Sequence, residues 1–275
     1  MQIKCIALDL DQTTLNEEGR LAPETREALE YAISKGIHIV IASGRPFGAL
    51  PADVLAVPGM EYAITSNGAA VYHIPTGKCI HNYTLTPKSV RKILHLMEKE
   101  SVVYETFVAG IAFADACYVH DPVRFGATEQ AISYIQRTRR PEPDITRFIL
   151  DHEAELDSLD IIVRNPEDMR RLRGLLEAAA PDIYVTSFVQ QLIEISHKDA
   201  GKHTGLRFVT ELLQLDPAQT AAFGDGDNDA DLLAYAGCGI AMANASPACL
   251  AAADHVTLDH RQHGVAHGIY HILHI

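Results

Sequence analysis

Asp9 and Asp11 end the apolar run that opens the stretch CIALDLDQTTLN (5–16), one leucine apart and with no lysine or arginine beside them. In an extended chain, residues i and i+2 face the same way, so these two carboxylates would crowd each other at a strand end. Three more polar sets follow apolar runs. They are Ser43-Gly44-Arg45 after IHIVIA, Ser66-Asn67-Gly68 after EYAIT, and GDGDND (Gly224 to Asp229) after TAAF. Carboxylates without a basic neighbour in sequence need a cation, and an all-oxygen set suits Mg2+ better than a soft metal. Ser43 and Gly44 offer a hydroxyl and turn N–H groups to anionic oxygens. Lys202 lies near a helix start, where its ammonium and the positive helix end act together. A carboxylate nucleophile, a divalent cation and a lysine fit phosphoryl transfer through an aspartyl-phosphate.

Such residues work only if the chain gathers them, and the hydrophobic pattern says how. IKCIAL, IHIVIAS and EYAITSNG read as strands buried on both faces, with a helix over PETREALEYAISKG between the first two. AVYHI and KCIHNYTL, joined by PTG, read as a hairpin. From about Thr84 the rhythm changes: a helix, PKSVRKILHLMEKE, leads to the β-rich segments VVYETFV and IAFADACYV. RTRRPEPDITR then reads as an exposed connection, before LDIIVRN, the helix PEDMRRLRGLLEAAA and the strand DIYVTSF. Alternation resumes with LIEIS, the helix GKHTGLRFVTELL, TAAFGDGD, the helix DADLLAYA and CGIAM. The expected architecture is α/β: a doubly wound, Rossmann-like parallel-sheet core (1–83 and 189–275) carrying an inserted α+β cap domain (84–188). In such a sheet, ligands bind beyond the carboxyl ends of the strands, where all four polar sets lie.

In this order the four sets resemble the haloacid dehalogenase-like hydrolase superfamily, and within it the Cof-type phosphatases. Asp9-Leu10-Asp11-Gln12-Thr13 matches DxDxT, Ser43 the second motif, Lys202 the third, and Gly224 to Asp229 the GDxxND motif. SNGA (66–69), AMANA (241–245) and HGVA (263–266) extend the resemblance. It implies that Asp9 attacks phosphorus and Asp11 serves as acid and base. Asp9, the backbone carbonyl of Asp11, and Asp225 would hold Mg2+, with Asp229 in or just behind that set. Ser43, Gly44, Lys202 and Asn228 would bind the phosphoryl oxygens, and Thr13 would brace the first loop. The cap would read a small phosphorylated metabolite such as a sugar phosphate. At position 12 relatives usually carry Gly, so Gln12 is expected to alter the turn rather than the chemistry.

Other readings compete. Lys198 is a weaker match to the third motif by spacing, and Arg45 is open between a structural partner for a carboxylate and a ligand. His263, His267 and His271, at i, i+4 and i+8, could face a soft metal, or lie on a solvated or half-buried terminal helix. The run QRTRR (136–140) reads as a solvated face. A phosphomutase would use the same aspartyl-phosphate, and a non-enzymatic phospho-acceptor module would lack a second aspartate like Asp11. A nucleotide-cofactor oxidoreductase is excluded because no GxGxxG follows any strand. The net charge of −13 among 275 residues disfavours nucleic acid or an anionic membrane as partner. No apolar run reaches membrane-span length, no signal-peptide pattern opens the chain, and the five cysteines lack metal-site spacing. A cytoplasmic protein is the expectation.

Overall fold

A computed structural model of the protein describes residues 2–186 and 191–275. It divides into two compact units. The first comprises the chain up to Arg45, Leu50–His81 and Gly201–Ile275; the second comprises Pro46–Ala49 and Asn82–Ala200. In chain order the strands begin with β1 (Cys5–Leu8), β2 (His38–Ala42), β3 (Tyr62–Thr65), β4 (Ala70–His73) and β5 (Lys78–Asn82). Next come β6 (Val102–Val108), β7 (Ile111–Asp115), β8 (Arg139–Glu142), β9 (Leu156–Val163), β10 (Ile183–Thr186) and β11 (Leu192–His197). The last three are β12 (Thr220–Gly224), β13 (Cys238–Ala241) and β14 (His255–Val256).

The first unit is built on a sheet ordered β14-β13-β12-β1-β2-β3-β4-β5. From β14 to β3 every pair is parallel, and β4 turns back antiparallel on β3. β1 is fully buried between β12 and β2, which explains why CIAL is apolar without alternation. From β1 the chain winds one way through β2 and β3, and later the other way through β12, β13 and β14. The order therefore reverses between β1 and β12, the place where open α/β sheets leave a crevice at the strand ends. Helix Pro23–Ser34 starts with Pro at its first position and presents Thr25, Ala28, Leu29 and Ala32 to the interior. Helix Lys202–Leu212 lies close against β3. A Cβ on Gly205 would come within 2.5 Å of Ile64 Cγ2, so glycine is what permits the approach that seats Lys202.

The second unit has a six-stranded sheet, β10-β11-β9-β6-β7-β8, antiparallel except for the β7–β8 pair. Helices Pro87–Met97, Ile145–Asp151 and Pro166–Ala179 cover one face. Val90, Ile93, Met97, Ile149, Leu172 and Leu176 meet Leu159, Ile161, Ile193 and Ile195 there. On the other face Tyr118, Val119, Ala127 and Ile135 pack with Ala114 and Ile162.

Several expectations need correction. The boundary placed at 188/189 lies outside the described residues, as do the last two residues of DIYVTSF. The strand of LIEIS, read as a return to the core, is β11, which pairs with β9 and β10; the return to the first unit falls at Gly201. Within IAFADACYV only the first five residues are extended. Asp115 then accepts the Cys117 N–H at 2.9 Å and caps helix Ala116–His120. RTRRPEPDITR is no loose connection: it supplies β8, parallel to β7 at the sheet edge, and the start of helix Ile145–Asp151. Pro141 fits because an edge strand tolerates a missing donor. QRTRR is not wholly solvated either. Arg139 donates from Nε and Nη2 to both Glu105 carboxylate oxygens, at 2.9 and 2.7 Å, and its side chain is only 10% exposed. Among the described residues no helix is long and apolar enough to cross a membrane.

Candidate active site

The loop leaving β1 brings the first motif to the reversal point of the sheet. Asp9 N–H donates to Phe223 O of β12 at 3.0 Å, and Thr14 Oγ1 donates to Asp9 O at 2.5 Å. The loop turns at Gln12, whose φ of 59° lies in the left-handed region that glycine enters most readily. Beside it, β12 ends at Gly224 and delivers Asp225 and Asp229. Asp9, Asp225 and Asp229 are buried, and one carboxylate oxygen from each lies within 4.8 Å of the others.

Lys202 is the cation of this group. Its Nζ donates to Asp9 Oδ1 at 2.7 Å and to Asp229 Oδ1 at 2.6 Å, with the side chain 1% exposed. Burial alone would lower its pKa, but Asp229 and Asp9 outweigh that and hold the ammonium charged. Asp229 Oδ2 accepts the backbone N–H groups of Asp225 and Gly226, at 3.1 and 2.9 Å. Both Asp229 oxygens are therefore engaged by the protein. Thr13 Oγ1 donates to Asp225 Oδ1 at 2.7 Å, so it braces the fourth motif as well as the first loop.

Three buried carboxylates against one ammonium leave excess negative charge. Burial, then Asp229, push the Asp9 pKa well above the carboxylate range against the opposing pull of Lys202. Burial pushes Asp225 up to about 7, with the Thr13 hydroxyl opposing and Asp229 adding. Among the described residues, Asp9 Oδ2 and Asp225 Oδ2 accept no hydrogen bond from the protein. An all-oxygen group with surplus charge and two such oxygens fits a hard divalent cation, which would let Asp9 and Asp225 stay ionised.

The other expected residues fall at the neighbouring strand ends. Ser43 is buried at the end of β2, its hydroxyl accepting the Arg45 N–H at 3.2 Å, and Gly44 is half-buried in the following bend. Lys198 is exposed and belongs to the second unit, whereas Lys202 reaches the carboxylates. Asn228 Nδ2 donates to Asn67 Oδ1 at 2.9 Å, while its own Oδ1 is buried without a partner. The side chain of Asp11 stands outside the three-carboxylate group. Its oxygens accept Arg45 Nε at 2.8 Å and Nη2 at 2.5 Å, so Arg45 is the partner of a carboxylate.

Sequence reasoning gave no role to Asn67. It lies in a turn where Ser66, Asn67 and Gly68 have φ of 51°, 52° and 90°. A Cβ at residue 68 would sit 2.0 Å from Gly201 O, so glycine is required there. The Asn-Gly pair was the available signal, since both residues tolerate positive φ.

Two of the C-terminal histidines lie side by side, the His267 and His271 rings 4.8 Å apart between centroids. His263 Nε2 is 3.8 Å from Glu24 Oε2, and His267 Nδ1 is 3.1 Å from Thr257 Oγ1. A π turn over Gly268–Ile272 carries His271.

The family model of the haloacid dehalogenase-like hydrolases matches residues 6–269. Phosphatase YwpJ of Bacillus subtilis is 29% identical, over 98% of this chain and 100% of that protein. From the same organism, 5-amino-6-(5-phospho-D-ribitylamino)uracil phosphatase YcsE is 28% identical, over 98% of this chain and 96% of that one. A solved haloacid dehalogenase-like hydrolase from B. subtilis superposes with a TM-score of 0.83 at 27% identity, covering 98% of this chain and 100% of the other.

Proposed function

The chain belongs to the haloacid dehalogenase-like hydrolases and is a phosphatase, a phosphoric monoester hydrolase, and from that premise we propose that it hydrolyses a small phosphorylated metabolite through an aspartyl-phosphate on Asp9. The observation that carries the reading is the buried contact of Lys202 with both Asp9 and Asp229, at the point where the sheet order reverses. Lys202 aims one Asp9 oxygen and leaves the carboxylate able to face a phosphorus. A bond forms from Asp9 to phosphorus as the ester bond breaks, and Asp11 gives its proton to the leaving oxygen. Asp11 then takes a proton from the attacking water, the bond from Asp9 to phosphorus breaks, and phosphate leaves. Ser43 Oγ, the Gly44 N–H, Lys202 and the Asn228 amide bind the phosphoryl oxygens, whose charge must be offset as it redistributes.

Asp9 and Asp225 would hold Mg2+, together with the backbone carbonyl of Asp11. Asp229, already engaged through both oxygens, orients Lys202 and the Asp225 backbone. The ion would supply neutralising charge for the carboxylates and the phosphoryl group. The second unit serves as the cap that reads the rest of the substrate. A sugar phosphate or similar polyol ester is the favoured class, and the ribityl phosphate in the name of YcsE supports it.

The test is Asp9→Asn, assayed on a panel of phosphorylated metabolites and on p-nitrophenyl phosphate. Turnover is expected to fall at least about 10^3-fold, in line with removal of a nucleophile, while the fold persists. Wild-type activity is expected to vanish in EDTA and return with Mg2+. Near-normal turnover by the mutant would sink the covalent route, and metal-free activity would sink the cation assignment.

A further inference from the structure

The second, third and fourth motifs are joined by a turn that lies outside all of them. Ser66, Asn67 and Gly68 follow β3 with φ of 51°, 52° and 90°, backbone that side chains rarely adopt. The turn is held on three sides, all within the first unit. Asn67 N–H donates to Ser43 O at 3.1 Å. Gly68 lies against the backbone of Gly201, the residue before Lys202. Asn67 Oδ1 accepts Asn228 Nδ2 at 2.9 Å. Strained backbone persists only where its surroundings over-determine it, and it collects at functional sites.

Among the described residues the Asn228 amide makes this one hydrogen bond. Its Nδ2 carries two hydrogens and gives one to Asn67, while Oδ1 is buried without a partner. Asn228 is half-buried in the turn Asp227–Asp229, so the contact with Asn67 is what sets the plane of its amide. The amide is planar, and gripping one N–H fixes the direction of the other. Asn67 is itself buried, with its backbone tied to Ser43, so the grip has a rigid support.

We propose that Asn67 is a positioning residue for the phosphoryl group: it turns the Asn228 amide so that the second N–H faces a phosphoryl oxygen, in register with Ser43. The inference rests on the phosphatase reading above, which makes Asn228 a phosphoryl ligand, and gives Asn67 no contact with the substrate. A hydrogen bond to a charged phosphoryl oxygen serves every ester alike, whatever its leaving group. It serves free orthophosphate as well.

The experiment measures kcat/KM on p-nitrophenyl phosphate and on an alkyl monophosphate that the wild-type protein turns over, and the inhibition constant of orthophosphate, all with Mg2+ present. Asn67→Gly keeps the positive φ and removes the amide. It is expected to lower kcat/KM about 10-fold on both esters and to weaken orthophosphate inhibition by a similar factor, as loss of one hydrogen bond to a charged group would. Asn67→Ala should lose the same factor while melting lower than Asn67→Gly, because its Cβ is strained at this φ. In an Asn228→Ala background, Asn67→Gly should cost less than about 2-fold further, because residues acting as one unit are non-additive. That cycle isolates the Asn228 contact from any other that Asn67 makes. Single-variant losses under about 2-fold, losses that follow the melting temperature, or losses that add to those of Asn228→Ala would overturn the proposal. An Asn228→Ala variant with wild-type kinetics would overturn it at its premise. An active Asp9→Asn would instead remove the covalent mechanism and leave the orthophosphate test of Asn67 standing.

Discussion

Gln12 shows how a side chain can occupy a turn suited to glycine without touching the chemistry. Its backbone takes φ 59° and ψ 11°, its side chain is exposed, and its C=O accepts Asn244 Nδ2 at 3.0 Å. The turn therefore uses the backbone of residue 12. An L side chain in this region costs roughly 1–2 kcal/mol, and glycine avoids that cost. Gln12→Gly is expected to keep full activity and to gain roughly 0.5–1 kcal/mol in urea unfolding, after the extra freedom of the unfolded chain offsets part of the relief. Gln12→Val should lose at least about 1 kcal/mol, because a β-branched residue tolerates positive φ worst. A loss of turnover in the glycine variant would show that the glutamine side chain has a task of its own. At this scale the motif residues were readable because each has one chemical reason for its type. Asp9, Asp225, Asp229 and Lys202 do converge, while the Asp11–Arg45 fork was legible only in part: pairing with a carboxylate was one of two readings open for Arg45, and 34 residues hid which carboxylate it was.

Elements obey local rules that the sequence carries and pairing rules that it hides. The buried parallel strands were evident because unbroken apolar runs such as CIAL leave few alternatives. The edge of the second sheet was not, for β8 spells Arg-Arg-Pro-Glu and looks like a linker until β7 is seen beside it. Arg139 lies buried there against Glu105, 1% exposed on β6, which accepts its Nε and Nη2, while Nη1 donates to Thr138 Oγ1 at 2.8 Å. Neither charge is tolerable alone in that setting, so the pair decides which way β8 faces. Arg139→Ala would leave Glu105 buried without its cation, a change that costs roughly 3–5 kcal/mol. Replacing both residues with leucine should cost much less, because no orphan charge remains. Urea unfolding of the single and double variants checks this; equal losses would mean that packing, not charge, is what Arg139 contributes.

At the scale of the whole molecule, two sheets with separate cores imply two folding units in one chain. Cys5, Val40, Ile64, Leu206 and Ala222 belong to one core, and Ile93, Leu159, Ile161 and Leu176 to another. A single cooperative transition is then not guaranteed, and a titrating group confined to one unit can tell the two apart. Asp157 is such a group. The register of β6 on β9 shifts between Phe107 and Val108, which pair with Ser158 and Leu156 and leave Asp157 opposite the irregularity. It is 3% exposed, and its Oδ2 has no partner. Burial pushes its pKa from 3.8 up to about 7, against a backbone N–H contact from Gly110. Because this acid holds its proton more tightly when folded, it favours folding most at low pH. Stability is lost as pH rises from about 4 to about 7, and the loss is complete above that. Three pH units correspond to roughly 4 kcal/mol at most. Hydrogen exchange read by peptide mass spectrometry, at pH 5 and pH 8 after correction for intrinsic rates, should differ between the wild-type protein and Asp157→Asn within Asn82–Ala200 and not in β1, β2 and β12, whose own response to pH, set by the raised Asp9 and Asp225, is common to both proteins. Asp157→Asn should reduce the fall in protection within Asn82–Ala200 from pH 5 to pH 8, with Asp160, which burial also pushes up, accounting for a remainder, and the fragment Asn82–Ala200 alone should show the same effect of the substitution. An effect of Asp157→Asn spread evenly over both sheets would mean that the two units unfold as one.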